Sequence, residues 1–212
     1  MRLLKTLKNI ISHNRILTSV MLVIPFFFFA RPGLLTLSIG LPVILLGEVI
    51  RIYASGYIYK GKEITMDGPY SLTRNPLYLG NFFLGLGFSI AAGNVFFPII
   101  FIILFFFIYH ATIEQEEAFL SNKFGEVYAH YKAKTSRFFP TPSSIRNSVN
   151  PVRSPHIGSN ERTSGMKPSD RETSNGVKGI FRWELVKKHR EYNTWIGILI
   201  GILLLVVKFL AV

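Results

Sequence analysis

The chain has 212 residues, of which 49% are apolar and 19 are phenylalanine; it carries a formal net charge of +12 and has no cysteine. The missing cysteine excludes disulfides, thiolate metal sites and a cysteine nucleophile. Apolar and polar residues lie in separate blocks, which places the chain among membrane proteins and directs its positive charge towards a membrane surface with anionic headgroups. Nucleic acid is not an expected partner, because no nucleic-acid fold signature accompanies the basic charge.

In chain order, residues 1–15 put Leu3, Leu4, Leu7, Ile10 and Ile11 on one helical face and Lys5, Lys8 and Arg15 elsewhere, which predicts an interfacial amphipathic helix. Apolar runs follow at 16–30, 34–50, 77–92, 95–109 and 195–212. A spanning helix needs ~20 apolar residues, so the shorter runs borrow flanking residues. The expected fold is an all-α integral membrane protein with about five transmembrane helices. The first run is expected to remain a span: no small-residue cleavage site follows it, and Arg31-Pro32-Gly33 reads as a turn.

Lysine and arginine alternate between rich and poor connections. The N-terminal segment holds four, the first turn one, the stretch from Arg51 through Arg74 four, the Gly93-Asn94 turn none, residues 110–194 fourteen, and the C-terminal end one. The positive-inside rule then places the N-terminus, residues 55–76 and residues 110–194 on the cytoplasmic face, with the C-terminus outside. Residues 16–140 form the expected membrane domain. Residues 141–180 are rich in Ser, Pro, Asn and Arg and read as a disordered linker. Residues 181–212 begin with the basic juxtamembrane stretch FRWELVKKHREYN and end in the last span.

Several polar groups stand out against this apolar background. Glu48 and Arg51 lie three apart near the end of the second run, as a local ion pair or as a charged wall of a cytoplasmic-side cavity. His110, Glu114 and Glu117 follow at helical spacing on one face, with Glu116 beside them. Three carboxylates so close suit a solvated turn or a site for a cationic or amine-bearing ligand. A metal site is not expected, since no second histidine stands at ligand spacing. Gly85 and Gly87 thin the third run, for helix packing or for close approach of a cofactor. In GPYSLTRNPLYLGN, residues 68–81, Pro69 and Pro76 resist helix, so a helix is expected to start near Pro76. Its free N–H groups and Arg74 favour an anion. Tyr70 and Tyr78, taken alone, read as interfacial anchors.

Two segments occur in one order around a hydrophobic hairpin. The first is Gly68, Pro69, Tyr70, Arg74, Asn75, Pro76, Tyr78 and Gly80, in the pattern G-P-Y-x3-R-[HN]-P-x-Y-x-G. The second is Glu116, Glu117, Leu120, Phe124, Gly125, Tyr128 and Tyr131, in the pattern E-E-x2-L-x3-[FY]-G-x2-Y-x2-Y. Together they resemble the isoprenylcysteine carboxyl methyltransferase and phospholipid methyltransferase superfamily of membrane enzymes, over residues 45–140. The resemblance implies an S-adenosylmethionine-dependent methyltransferase of a bacterial or archaeal inner membrane. It implies a cytoplasmic cofactor pocket built from loops and helix ends, holding the cofactor with Tyr70, Arg74, Asn75, Pro76, Tyr78, Glu114, Glu116 and Glu117. The phospholipid branch adds a GxG matched by Gly85 and Gly87. A lipophilic acceptor is expected to enter from the bilayer, with Glu48, Arg51 and His110 as acceptor-side candidates for catalysis. Asn75 replaces the histidine of eukaryotic carboxyl methyltransferases; it keeps a donor and an acceptor but cannot exchange a proton near neutral pH. The alternatives are an NADPH-dependent membrane reductase of the sterol type and a non-enzymatic scaffold whose basic linker binds lipid or a partner.

Overall fold

The structure, a computed structural model, describes residues 26–58, 64–149, 181–188 and 191–211. Among the described residues, eight helices follow the helical stretch 26–29: α1 (Leu34–Ser55), α2 (Pro69–Leu72), α3 (Pro76–Ala91), α4 (Phe96–Phe124), α5 (Glu126–Lys134), α6 (Pro142–Val149), α7 (Trp183–Lys188) and α8 (Glu191–Ala211). Among the described residues there is no strand, and the extended backbone is tied by an isolated parallel bridge between Thr73 and Ser136. The protein is an all-α membrane protein. Helices α1, α4 and α8 are long and apolar enough to cross a bilayer, and α3 is a shorter apolar helix. The remaining expected span, 16–30, lies outside the described residues except for Phe26–Ala30, as does the amphipathic segment 1–15.

Local chemistry sets the boundaries. Pro76 opens α3, where its missing N–H costs nothing and its fixed φ suits the first turn. Phe96 opens α4 with its N–H bonded to the Asn94 side chain at 3.1 Å. Helix α4 then runs 29 residues without a break, from the apolar run into the Glu116-Glu117 segment, until Gly125 ends it at φ 53°.

Helices α1 and α3 form the tightest pair. Gly40 and Gly47 of α1 face Gly87 and Gly80 of α3, two glycines seven residues apart on each side. The fit is close enough that a Cβ on Gly87 would lie 2.6 Å from the Ile44 nitrogen and 2.9 Å from the Gly40 carbonyl oxygen. Small residues let helix backbones approach in a membrane, where packing replaces the hydrophobic drive. In contrast, α4 and α8 bury only 11% and 6% of their apolar windows within the chain. Phe107 and Leu203 are among the large side chains left facing outward, as contact with lipid requires.

The first described part of the stretch read as a linker, 141–180, is helical. Pro142–Val149 are helical, with Thr141 and Ser144 exchanging backbone and side-chain hydrogen bonds at the N-terminus. Ser144 is fully buried. A capped first turn packed against α2 and α5 overrides the polar composition. Residues 150–180 lie outside the described residues.

Candidate functional site

The first half of the pattern is held by the segment that follows the second. Tyr131 donates its hydroxyl to the Tyr70 carbonyl at 2.6 Å. The Arg74 N–H bonds the Ser136 carbonyl at 2.9 Å, and the Ser136 hydroxyl returns a bond to Leu72 at 2.9 Å. Asn75 donates its side-chain amide to the Arg137 carbonyl at 2.9 Å. Residues 70–75 are thereby stitched to residues 131–137, and α3 is launched from a fixed base.

Arg74 is the central strut. Its Nε and Nη2 reach Glu117 at 3.2 and 2.9 Å, and its Nη1 reaches the carbonyls of Lys132 and Thr135 at 2.8 and 3.1 Å. Four of its five N–H groups are therefore committed inside the protein. Glu117 is buried and also meets Arg137 at 3.5 Å and Lys132 at 4.0 Å. This pair binds the two halves of the pattern to each other.

The stitched segments wall a cavity of about 530 Å³. Tyr70, Arg74, Asn75, Pro76 and Tyr78 line it from the first half, and Glu116 and Tyr131 from the second. Arg51 of α1 and Glu191 of α8 close its other side. Helix α3 opens into this cavity with no side-chain cap; Pro76 has no N–H and Leu79 bonds the Asn75 carbonyl, so the Leu77 and Tyr78 N–H groups are the ones suited to an anion. Glu116 accepts the Tyr78 hydroxyl at 3.0 Å. Tyr70 lines the wall, is only 7% exposed, and its hydroxyl finds no hydrogen-bond partner among the described residues.

Other predicted residues fall elsewhere. His110 and Glu114 pair at 3.7 Å on the outside of α4, with 62% and 58% of their side chains exposed. They share a helix face with Glu117, and Arg137 stands 4.0 Å from Glu114 as well as 3.5 Å from Glu117, but Glu114 stays exposed. Gly85 faces Phe101 of α4 and Gly87 faces Ile44 of α1, so both glycines serve helix packing and neither lines the cavity. Glu48 and Arg51 form the expected ion pair at 3.7 Å, and both reach the last helix as well. Arg51 bonds Glu191 at 2.6 Å, Thr194 at 3.2 Å and the Asn81 side chain, and Glu48 accepts the Trp195 indole N–H at 2.5 Å. Glu191, Thr194 and Asn81 were not foreseen; an acidic residue placed just before an apolar run was the available signal. Among the described residues, no three or more His, Cys, Asp or Glu side chains gather as metal ligands.

Burial lifts the phenols around this base. The Tyr128 hydroxyl is pushed up to about 12, chiefly by desolvation and then by Glu117. Tyr70 and Tyr131 are raised further; for Tyr70, desolvation leads, followed by the charges of Glu116 and Glu191. These phenols keep their protons in the folded state when the unfolded chain, with tyrosine near 10, has begun to lose them. Their contribution is intact below about pH 10 and is lost as pH rises through the folded values. Thermal melts in detergent are expected to hold steady from pH 8 to 9.5 and to fall progressively above pH ~10; a midpoint unchanged at pH 11 contradicts the burial of these rings.

These features define a class: a helical membrane protein whose paired polar segments, on either side of an apolar hairpin, enclose one cavity at the helix ends. Residues 35–127 match the family model for phospholipid methyltransferase, which supports the resemblance to the isoprenylcysteine and phospholipid methyltransferase superfamily over that part of the chain. The chain is 31% identical over 128 residues to the nickel-cobalt-cadmium resistance protein NccN of Alcaligenes xylosoxydans xylosoxydans, covering 59% of each chain. It is 34% identical over 114 residues to the cobalt-zinc-cadmium resistance protein CzcN of Cupriavidus metallidurans, covering 53% of this chain and 52% of the other. It is 31% identical over 81 residues to the protein-S-isoprenylcysteine O-methyltransferase of Schizosaccharomyces pombe, covering 38% and 34%. The match thus spans little more than half the length of the first two relatives. No solved structure matches the chain.

Proposed function

We propose that the protein is an S-adenosylmethionine-dependent membrane methyltransferase that acts on a lipophilic acceptor reaching the site from the bilayer. The observation that carries this reading is the cavity walled by both halves of the pattern. Its volume of about 530 Å³ suits a cofactor-sized ligand. The donor set also fits. Glu116 and the rings of Tyr70 and Tyr78 suit the cationic sulfonium and amine. The uncapped start of α3 suits the carboxylate. The unpartnered Tyr70 hydroxyl offers one further hydrogen bond.

When bound, the cofactor supplies an activated methyl group on sulfur. The protein's task is then to orient and to exclude water, because an in-line displacement gains much of its rate from positioning. Glu116, Tyr70, Tyr78 and the α3 start hold the ligand. Arg74, Asn75 and Glu117 hold those groups in place rather than offering free charge. Arg51 and Glu48 form the acceptor side. His110 has no part in this reading, since its side chain is exposed outside the cavity. In this reading the cavity faces the cytoplasm from a bacterial or archaeal inner membrane, an orientation supported by the distribution of Lys and Arg, with membrane lipids and the acceptor as partners and no nucleic acid.

Calorimetry on the detergent-purified protein tests the assignment with S-adenosylhomocysteine, S-adenosylmethionine and NADPH. Binding of the first two with no heat from NADPH is expected, and Glu116→Gln is expected to weaken both by roughly tenfold, the equivalent of ~1.4 kcal/mol. Binding of NADPH alone would indicate a reductase. Binding of none of the three would leave the scaffold reading.

A further inference from the structure

The matched family segment ends at residue 127, yet one wall of the cavity comes from Glu191, at the start of the last helix. Glu191 is buried, and its carboxylate holds the Arg51 guanidinium at 2.6 Å. Thr194, one helical turn later, holds the same guanidinium at 3.2 Å. Trp195 bonds Glu48, the residue that pairs with Arg51 within α1. The last helix therefore grips both members of the α1 charge pair by three separate side chains. No comparable polar grip joins α8 to the rest of the chain among the described residues, except Lys208 at its far end, which meets the Phe27 and Phe28 carbonyls.

This arrangement is costly unless it is used. Arg51 left without Glu191 would retain the neutral Asn81 and Thr194 side chains as acceptors, while its remaining carboxylate, Glu48 at 3.7 Å, stands too far for a hydrogen bond. Its guanidinium would then be held by neutral acceptors alone and less firmly against Asn81 of α3. We propose that Glu191 is a positioning residue of the cofactor cavity: by fixing Arg51 against α3, it makes the last helix an integral wall of the site, so that docking of α8 and occupation of the cavity favour each other. The inference rests on the methyltransferase reading for the identity of the ligand. Linkage is reciprocal, so a ligand that needs the docked wall must also strengthen the docking.

The chain contains two tryptophans, Trp183 and Trp195. Trp183 is exposed, so Trp183→Phe leaves the α8 indole as the sole reporter of the Glu48 contact. In this background, S-adenosylhomocysteine is expected to shift or quench the Trp195 emission. Glu191→Ala is expected to weaken S-adenosylhomocysteine at least tenfold and to remove the ligand-induced change. Glu191→Asp is expected to restore part of both, and Glu191→Gln, which keeps the size and one acceptor, to fall between. Helical content by circular dichroism shows that each variant is folded; if the alanine variant is not, the glutamine variant carries the test. Ligand binding at the wild-type Kd in Glu191→Ala or Glu191→Gln, or binding without any response from Trp195, overturns the inference and leaves the proposed function standing. Absence of binding by the parent protein overturns both.

Discussion

Gly87→Leu is expected to remove the folded protein from detergent extracts. A side chain there meets the backbone of the neighbouring helix, with the Ile44 nitrogen 2.6 Å and the Gly40 carbonyl oxygen 2.9 Å from the first added carbon. Overpacking a core that can adjust its side chains costs about 1–3 kcal/mol. Here the obstacle is main chain, so α1 and α3 must separate along the seam. The glycines at 40, 47 and 80 would lose their contact together, and a protein with a total stability of about 5–15 kcal/mol has little to spare. Gly197→Leu is the control, because a Cβ at that position has nothing within 4 Å and points away from the packed helices. Recovery of folded protein and heat-inactivation rates compare the two. Equal yields for both variants would show that the seam is not a tight interface.

Arg74→Ala is the second large effect. It strands the buried Glu117 carboxylate and leaves the Lys132 and Thr135 carbonyls without their donor. Removing one partner of a buried ion pair costs about 3–5 kcal/mol. Arg137, 3.5 Å from Glu117, takes up part of the charge, so the expected loss lies at the lower end, about 3 kcal/mol. Arg74→Lys should rescue little, because an ammonium cannot reach a carboxylate and two carbonyls in a planar fork. Glu117→Gln keeps one acceptor for the guanidinium and should lose less than Arg74→Ala. Both variants should also bind S-adenosylhomocysteine more weakly, since the base that launches α3 is loosened. A melting midpoint unchanged in Arg74→Ala would mean that the strut is redundant.

Much of the architecture was legible because each apolar run carries its own evidence. The helix starting at Pro76 and the helix continuing from the fourth run through Glu117 needed only local rules. The pairing of residues was harder. Arg74 and Glu117 were both singled out, but as separate ligand contacts. The sequence shows their charges and cannot show that they face each other across a stitched loop. Gly85 and Gly87 illustrate a different limit. Two residues apart on a helix with 3.6 residues per turn, they point roughly 200° apart, so no single ligand meets both. A helical GxG therefore argues for packing on two faces, and Phe101 and Ile44 occupy those faces. Glu191 escaped notice because its partner lies 140 residues earlier, beyond the reach of any spacing rule.

The partners of Arg74 and Arg51 also fix the order in which the site can come into being. Residues 70–81 leave the ribosome well before Glu117, Lys132 and Thr135, which hold Arg74. Arg51 waits longer still, for a glutamate close to the end of the chain. During N-to-C synthesis, helices α1 and α3 can pack as soon as both are inserted, since the glycine contacts along their seam need no later segment. The cavity beside them closes only when the last helix arrives. A nascent chain arrested before residue 191 would thus have α1 and α3 packed while the cavity still lacks the wall that Glu191 supplies.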